Sequence, residues 1–401
     1  MSSTPTDETL ATEAGIQTYL QNTPFASHTV DLLSGGYTNF TYRIHLHAPV
    51  DGVSTFILKY APPYVAAAAD SIPVPFSPDR QVCIHLCQVW CAHIRTKQRF
   101  EAEALRLANM IPRPDDDNTV MVPKLRLLDQ ESHVMIIEDA GSDLRTLKEI
   151  LIDESLPRSL LEKIGATLGR YLAHIHEWNE HPDVDLTPFA NNEAGKMVLT
   201  FMIYSRLVST LTGEDKLPHL LNPTLAIQEE KLATISKLAE TRTNEIRSST
   251  ASGVMTHGDY WPGNILVSLR WGADGVIEAL DRLYVLDWEL AMTGLPGLDL
   301  GQYCAELFFI ARSHPHREES VKTIVKSFLC AYRQRRLIDL ATVRVAAGHM
   351  GAHIVVWAPR DPGDRDRTRE VVQEGVELLD LSWSGSESSL LDSIIGPLLS
   401  G

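Results

Sequence analysis

The stretch THGDYWPGNILV, residues 256–267, decides how this chain is read. It sets one histidine, one aspartate and one asparagine around a Trp261-Pro262-Gly263 corner, then runs into an apolar segment. Proline presets one backbone angle and glycine tolerates a tight bend, so the spacing predicts a sharp reversal ahead of a strand. Such a reversal turns Asp259 and Asn264 into one site. Aspartate can hold a hydroxyl and accept its proton. Asparagine offers a hard cation a neutral oxygen without adding negative charge.

Asp287 lies 23 residues after Asn264, at the end of the apolar run LYVLD. It supplies the carboxylate that a second Mg2+ ligand requires. Glu289 follows as a weaker candidate for metal or water. His257 reads as a hydrogen-bonding histidine of the loop rather than an acid or base.

Upstream, the chain is rich in strand signals. VDLLSGGYTNFTYRIHLH alternates, breaks at Ser34-Gly35-Gly36 and alternates again, which predicts strand, glycine turn and strand. STFILKYA is a further strand with Lys59 near its end, and VMIIEDA (134–140) another. Together they predict a small antiparallel sheet. A short helix is expected at GIQTYLQNT, and residues 1–10 read as a tail. After Gly141 the texture changes. Leu160, Leu161, Ile164, Leu168, Leu172 and Ile175 recur at helical spacing, and more helices are expected over 195–247, 298–336 and 340–381. The charged stretch APRDPGDRDR (358–367), which breaks the last of these, reads as a solvated loop. The expected architecture is α+β, with a β-rich lobe over 1–140, a helical lobe over 141–401, and a ligand in the cleft between them.

Bulk properties narrow the partners. Lys plus Arg number 36 against 52 Asp plus Glu, a net charge of −16. Nucleic-acid and anionic-membrane binders lean the other way. No run long enough to span a membrane and no signal-peptide core is visible. Five cysteines imply no disulfide framework, so a cytoplasmic setting is expected.

His257, Asp259 and Asn264 match the spacing of the protein-kinase catalytic loop, in which a histidine stands two before the aspartate and an asparagine five after it. With SGGYTNFTYRI, FILKYAPPYV, MIIEDAGSDLRTL and VLDWELAMTGLPGLDLGQY in the same order, the chain resembles the aminoglycoside phosphotransferase and choline kinase group over roughly residues 30–305. HGDYWPGN is most similar to the methylthioribose kinase and fructosamine kinase versions.

The resemblance implies a two-lobed protein kinase-like fold using ATP and Mg2+ to phosphorylate a hydroxyl of a small molecule. The implied phosphate loop is Ser34, Gly35, Gly36, Thr38 and Asn39. Lys59 would position the α- and β-phosphates, Asp259 would be the catalytic base, and Asn264 and Asp287 the metal ligands. The backbone from Glu138 to Ala140 would meet adenine, and Asp299 would be structural. A carboxylate should orient Lys59. Of Glu101 and Glu103, Glu103 is favoured because Leu107, one turn on, faces inward. Gly258 replaces the arginine of protein kinases and no Ala-Pro-Glu segment follows Asp287, so a protein acceptor is not expected. The other reading is a silent ATP-binding interaction module.

Residues 82–98 depart from the pattern. Cys83, Cys87 and Cys91 recur every four residues, with His85 and His93 nearby. One helix does not wrap a tetrahedral zinc ion with evenly spaced thiols. The segment reads as a helical insertion or as a retained intron, since valine codons begin GT and a glutamine codon ends AG. The acceptor is expected in the helical lobe, around 190–220 and 300–360. There Glu306 would suit a cationic amine or sugar, and Tyr303, Trp357 and Trp383 are candidate pocket or core residues.

Overall fold

The computed structural model describes residues 10–33, 39–62, 96–112, 119–273, 275–361 and 363–400. It divides into two compact units, residues 1–110 with 122–143, and 111–121 with 144–401.

The first unit opens with α1 (Glu13–Leu20), whose N-terminus is capped by the Thr12 hydroxyl accepting from Gly15 N–H. Strands β1 (Ser27–Leu33), β2 (Phe40–Val50) and β3 (Val53–Tyr60) follow, then helix α2 over residues 96–110. After β4 (Val120–Met121), which belongs to the second unit, come β5 (Leu125–Asp129) and β6 (Val134–Glu138). The sheet order is β1-β2-β3-β6-β5, antiparallel throughout. Alternation sets its faces. Tyr42, Ile44 and Leu46 of β2 are buried with Phe56 and Leu58 of β3, against Ile16 and Leu20 of α1. β5 carried no clear sequence signal, because all five of its residues are only half-buried.

The second unit is mainly helical. It contains β7 (Arg145–Thr146), α3 (Leu147–Asp153), α4 (Arg158–His176), α5 (Thr187–Ala190), α6 (Glu193–Met202), α7 (Leu207–Thr212) and α8 (Glu229–Arg247). Then come β8 (Val254–Thr256), β9 (Ile265–Trp271), β10 (Ile277–Val285) and β11 (Met292–Gly294). The chain ends with α9 (Pro296–Ser313), α10 (Glu318–Arg335), α11 (Leu340–Trp357), α12 (Arg365–Ser384) and α13 (Glu387–Leu391). β4 pairs parallel with β10, which draws residues 111–121 into this unit although they precede the expected lobe boundary. Core residues of α7, α8, α11 and α12 form one buried cluster. No described helix is long and apolar enough to cross a membrane.

Of the described residues in 358–367, Asp361, Gly363, Asp364, Asp366 and Arg367 are exposed, as the charges suggest, but the stretch is not all loop. Ala358–Arg360 form a helical turn, and Asp364 caps α12 by accepting from Arg367 N–H at 3.0 Å. Arg360 pairs with Asp215, and Arg365 donates to the carbonyls of Leu221 and Asn222. Arg360 and Arg365 thus tie the stretch to Asp215, Leu221 and Asn222, while Arg367 stays exposed. Residues 82–95, with Cys83, Cys87, Cys91, His85 and His93, lie outside the described residues. Residues 96–98, counted with the insertion, are helical and belong to α2.

Candidate active site

The site in the second unit is built on the β9–β10 hairpin. Ile265 lies opposite Val285, and Leu286 N–H donates to Asn264 O at 2.9 Å. This register carries Asn264 and Asp287 to the same end of the hairpin. Asp287 has φ 60° and ψ 62°, a left-handed conformation rare for a residue with a side chain. Trp288 holds it there. Its ring is fully buried, stacks on Trp178 at 5.8 Å and donates to Val285 O. Strain held by such packing concentrates at functional positions.

Two glycines shape the loop. Gly258 has φ +80°, and a Cβ there would stand 2.3 Å from Leu290 O. The arginine of protein kinases therefore has no room at this position. Gly263 lies under the Trp261 ring, whose nearest atom would be 2.1 Å from an added Cβ. The Trp-Pro-Gly corner is thus a ring folded over a glycine, and Asn264 N–H closes it by donating to Trp261 O at 3.0 Å.

The loop backbone hangs on Asp299. Its carboxylate accepts from His257 N–H at 2.8 Å and Gly258 N–H at 2.9 Å, and meets His176 Nε2 at 3.0 Å. Burial alone would raise the Asp299 carboxyl, but bonds and charge from the two histidines hold it below its ordinary value. Burial pushes the His176 imidazole down. The His257 side chain bridges Leu286 O at 3.0 Å and Asp259 N–H at 3.3 Å, the structural part expected of it.

Asp259 receives Gln302 Nε2 on Oδ1 at 2.6 Å and Asn264 Nδ2 on Oδ2 at 2.9 Å. Burial is the main force raising its carboxyl to about 7. Gln302 and Asn264 oppose that rise, and the charges of Asp287 and Glu289 add to it. Asn264 Nδ2 also donates to Asp259 O at 3.0 Å. Both amide hydrogens of Asn264 are therefore directed at Asp259, which leaves its carbonyl oxygen for a cation. That oxygen and the half-buried Asp287 carboxylate are hard ligands of the kind Mg2+ takes, so these residues fit the ion. A divalent charge would also offset the repulsion that raises Asp259. Gln302 was missed in the sequence. It lies one turn past Asp299 on α9, and that spacing was its only signal.

In the first unit, Lys59 Nζ pairs with Glu101 Oε1 at 2.6 Å, the side chains being 10% and 1% exposed. The expected partner, Glu103, pairs with Arg106 at the surface instead. Arg99, Glu103, Arg106 and Met110 form the outer stripe of α2, and Glu101 points inward among Ala102, Ala104 and Leu105. Leu107 is buried too, so its burial did not identify the Lys59 face. Gln98 Nε2 donates to Lys59 O at 3.0 Å, which ties the last residue of the supposed insertion to the lysine strand.

Ser34, Gly35, Gly36 and Thr38 lie outside the described residues, and Asn39 is buried. Glu138 ends β6. Its N–H donates to Lys124 O at 3.0 Å and its carboxylate takes Arg126 at 2.7 Å, so that N–H is already used within the sheet. Ala140, just beyond, is half-buried.

A cavity of about 640 Å³ opens in the second unit. Its lining includes Trp261, Glu306, Phe309, Arg312, Trp357 and Arg360. None of its lining residues comes from 190–220. Tyr303 is fully buried against Phe328, and Trp383 lies under Lys237 at 5.7 Å, so neither lines it.

A model of the phosphotransferase enzyme family matches residues 29–336. The chain is 28% identical over 380 residues to a 4-hydroxytryptamine kinase of Psilocybe cubensis, covering 92% of each. It is 23% identical over 392 residues to phosphotransferase FrzJ of Cladobotryum sp., covering 94% of each. Among solved structures, a microcompartment-associated aminopropanol kinase aligns over 96% of this chain and 99% of its own, with TM-score 0.47 and 16% identity.

Proposed function

Because the chain belongs to the phosphotransferase enzyme family and is a small-molecule kinase, we propose that it moves the γ-phosphate of ATP to a hydroxyl of a small amine-bearing acceptor, with Mg2+. The observation that carries this reading is the Asp259 carboxylate, aimed by Gln302 and Asn264 with Asp287 beside it. Asp259 orients the acceptor hydroxyl and takes its proton. Gln302 and Asn264 fix the carboxylate in place, and Asp299 fixes the loop that bears it. Lys59, held by Glu101, supplies positive charge for the α- and β-phosphates. Asn264 and Asp287 would hold Mg2+, which supplies charge neutralisation as the phosphoryl group transfers. Catalysis of this kind is mostly positioning and electrostatics.

The 4-hydroxytryptamine kinase relative supports an acceptor carrying both a hydroxyl and an amine. The test is ATP turnover with Mg2+ on 4-hydroxytryptamine, choline, ethanolamine, aminosugars, methylthioribose and fructosamines, with Asp259→Asn as control. Turnover stimulated by an acceptor and lost in the variant is expected. Full turnover in the variant would reject the role of Asp259.

A further inference from the structure

We propose that the cavity beside the catalytic loop is the acceptor site and selects a hydroxylated aryl-alkylamine. Its ring would lie among Trp261, Phe309 and Trp357, and its ammonium at the Glu306 carboxylate. The proposal deepens the kinase reading and rests on it for the group transferred.

Helix α9 sets the spacing. Asp299, Gln302 and Glu306 follow one another at helical intervals, so they share one face. Asp299 holds the loop backbone and Gln302 holds Asp259. Glu306 stands one turn past Gln302, ~6 Å farther along the helix axis. An aromatic ring with a short aminoalkyl arm carries a hydroxyl at one end and an ammonium at the other, and its flat face is what aromatic walls take up.

The walls suit a ring. Trp261, two residues past Asp259, already attracts a cation, with Lys148 Nζ 5.2 Å from the ring centroid. Phe309 and Trp357 both line the cavity, and behind them His353 lies 6.0 Å from Phe309 and 6.2 Å from Trp357. The volume falls in the range of small-molecule pockets.

Charge on the walls is mixed, with Lys148, Arg312, Arg360 and Arg367 beside Glu306, Asp361 and Asp364. Arg312 is paired with Glu374 and Arg360 with Asp215. Among the lining acids, Asp364 caps α12 and Asp361 is exposed. Glu306 faces His353 Nε2 at 2.8 Å rather than an arginine or lysine, and its side chain is 18% exposed. A partly desolvated carboxylate of this kind is suited to an ammonium. A phenolic hydroxyl at the other end also asks less of the base than an alkanol, since phenols ionise near pH 10.

Calorimetric titration of 4-hydroxytryptamine into the full chain carrying Asp259→Asn tests this without turnover. Binding is expected, and adding Glu306→Gln should weaken it about 10- to 100-fold, the loss of a charge-assisted bond. 4-Hydroxyindole, which lacks the amine, should bind both proteins equally. Trp357→Leu should weaken both ligands. Equal affinity for 4-hydroxytryptamine with and without Glu306→Gln, no binding at all, or tighter binding of choline would overturn the proposal. A chain that binds the probe but phosphorylates nothing would refute the kinase reading and leave the pocket standing. A chain that phosphorylates other acceptors while Glu306→Gln is silent would do the reverse.

Discussion

Replacing Glu101 by alanine removes one half of the buried pair with Lys59, whose side chains are 10% and 1% exposed. Breaking a pair of this kind costs about 3–5 kcal/mol, because the remaining charge is left desolvated. The lysine can instead lose its proton, and that escape caps the cost at about 4.6 kcal/mol for a lysine of ordinary reference pKa at pH 7. Under the role proposed for Lys59, either outcome also takes its charge away from the phosphates. The expected result is a lower urea midpoint together with a weaker ATP affinity. Glu103→Ala removes only a surface pair with Arg106, worth about 0–1 kcal/mol, and should change neither reading. Urea unfolding followed by circular dichroism gives the first number, and titration of a fluorescent ATP analogue gives the second. If Glu103→Ala matches or exceeds Glu101→Ala in both assays, the assignment of the inward face of α2 is wrong.

Gly258→Ala forces a Cβ to 2.3 Å from Leu290 O in a left-handed conformation, so it should cost about 1–3 kcal/mol in urea and reduce turnover; an unchanged midpoint would contradict the loop geometry. Gln302→Leu leaves Asp259 Oδ1 without its 2.6 Å donor and should lower kcat about tenfold with the KM for ATP unchanged, whereas an unaltered kcat would dismiss Gln302 as a positioning residue. Burial, aided by His353, holds the His349 imidazole down at about 3, so the folded chain stays neutral where the unfolded chain binds a proton. The contribution of His349 should therefore be full above about pH 6.5 and be lost at about 1.4 kcal/mol per unit as pH drops toward 3, while the raised Asp259 carboxyl works in the opposite sense between about pH 4 and 7, so the readout is the difference in slope between the parent chain and His349→Gln. A slope identical in both proteins would locate the acid sensitivity elsewhere.

Much of the machinery was legible because it is written along the chain at short range. Asp259 and Asn264 stand five apart across a Trp-Pro-Gly bend, and Asp287 closes a strand, so local backbone rules suffice to bring them forward. The antiparallel strands and the long helices of the second half announce themselves by alternation and helical period in the same way. The acid that holds Lys59 was not legible. Helix α2 is buried around most of its circumference, and periodicity cannot rank two inward directions. Nor did the charges of 358–367 reveal that Arg360 and Arg365 reach Asp215 and the Leu221 carbonyl, more than 140 positions away. Gln302 looked like an ordinary residue of an apolar helix, and Glu306 was one acidic candidate with nothing to place it. They become parts of a site only when α9 packs beside the catalytic loop and α11. Spacing along the chain brings together the side chains proposed to act as base and metal ligands. Packing of distant helices selects which side chains aim them and what molecule fits beside them.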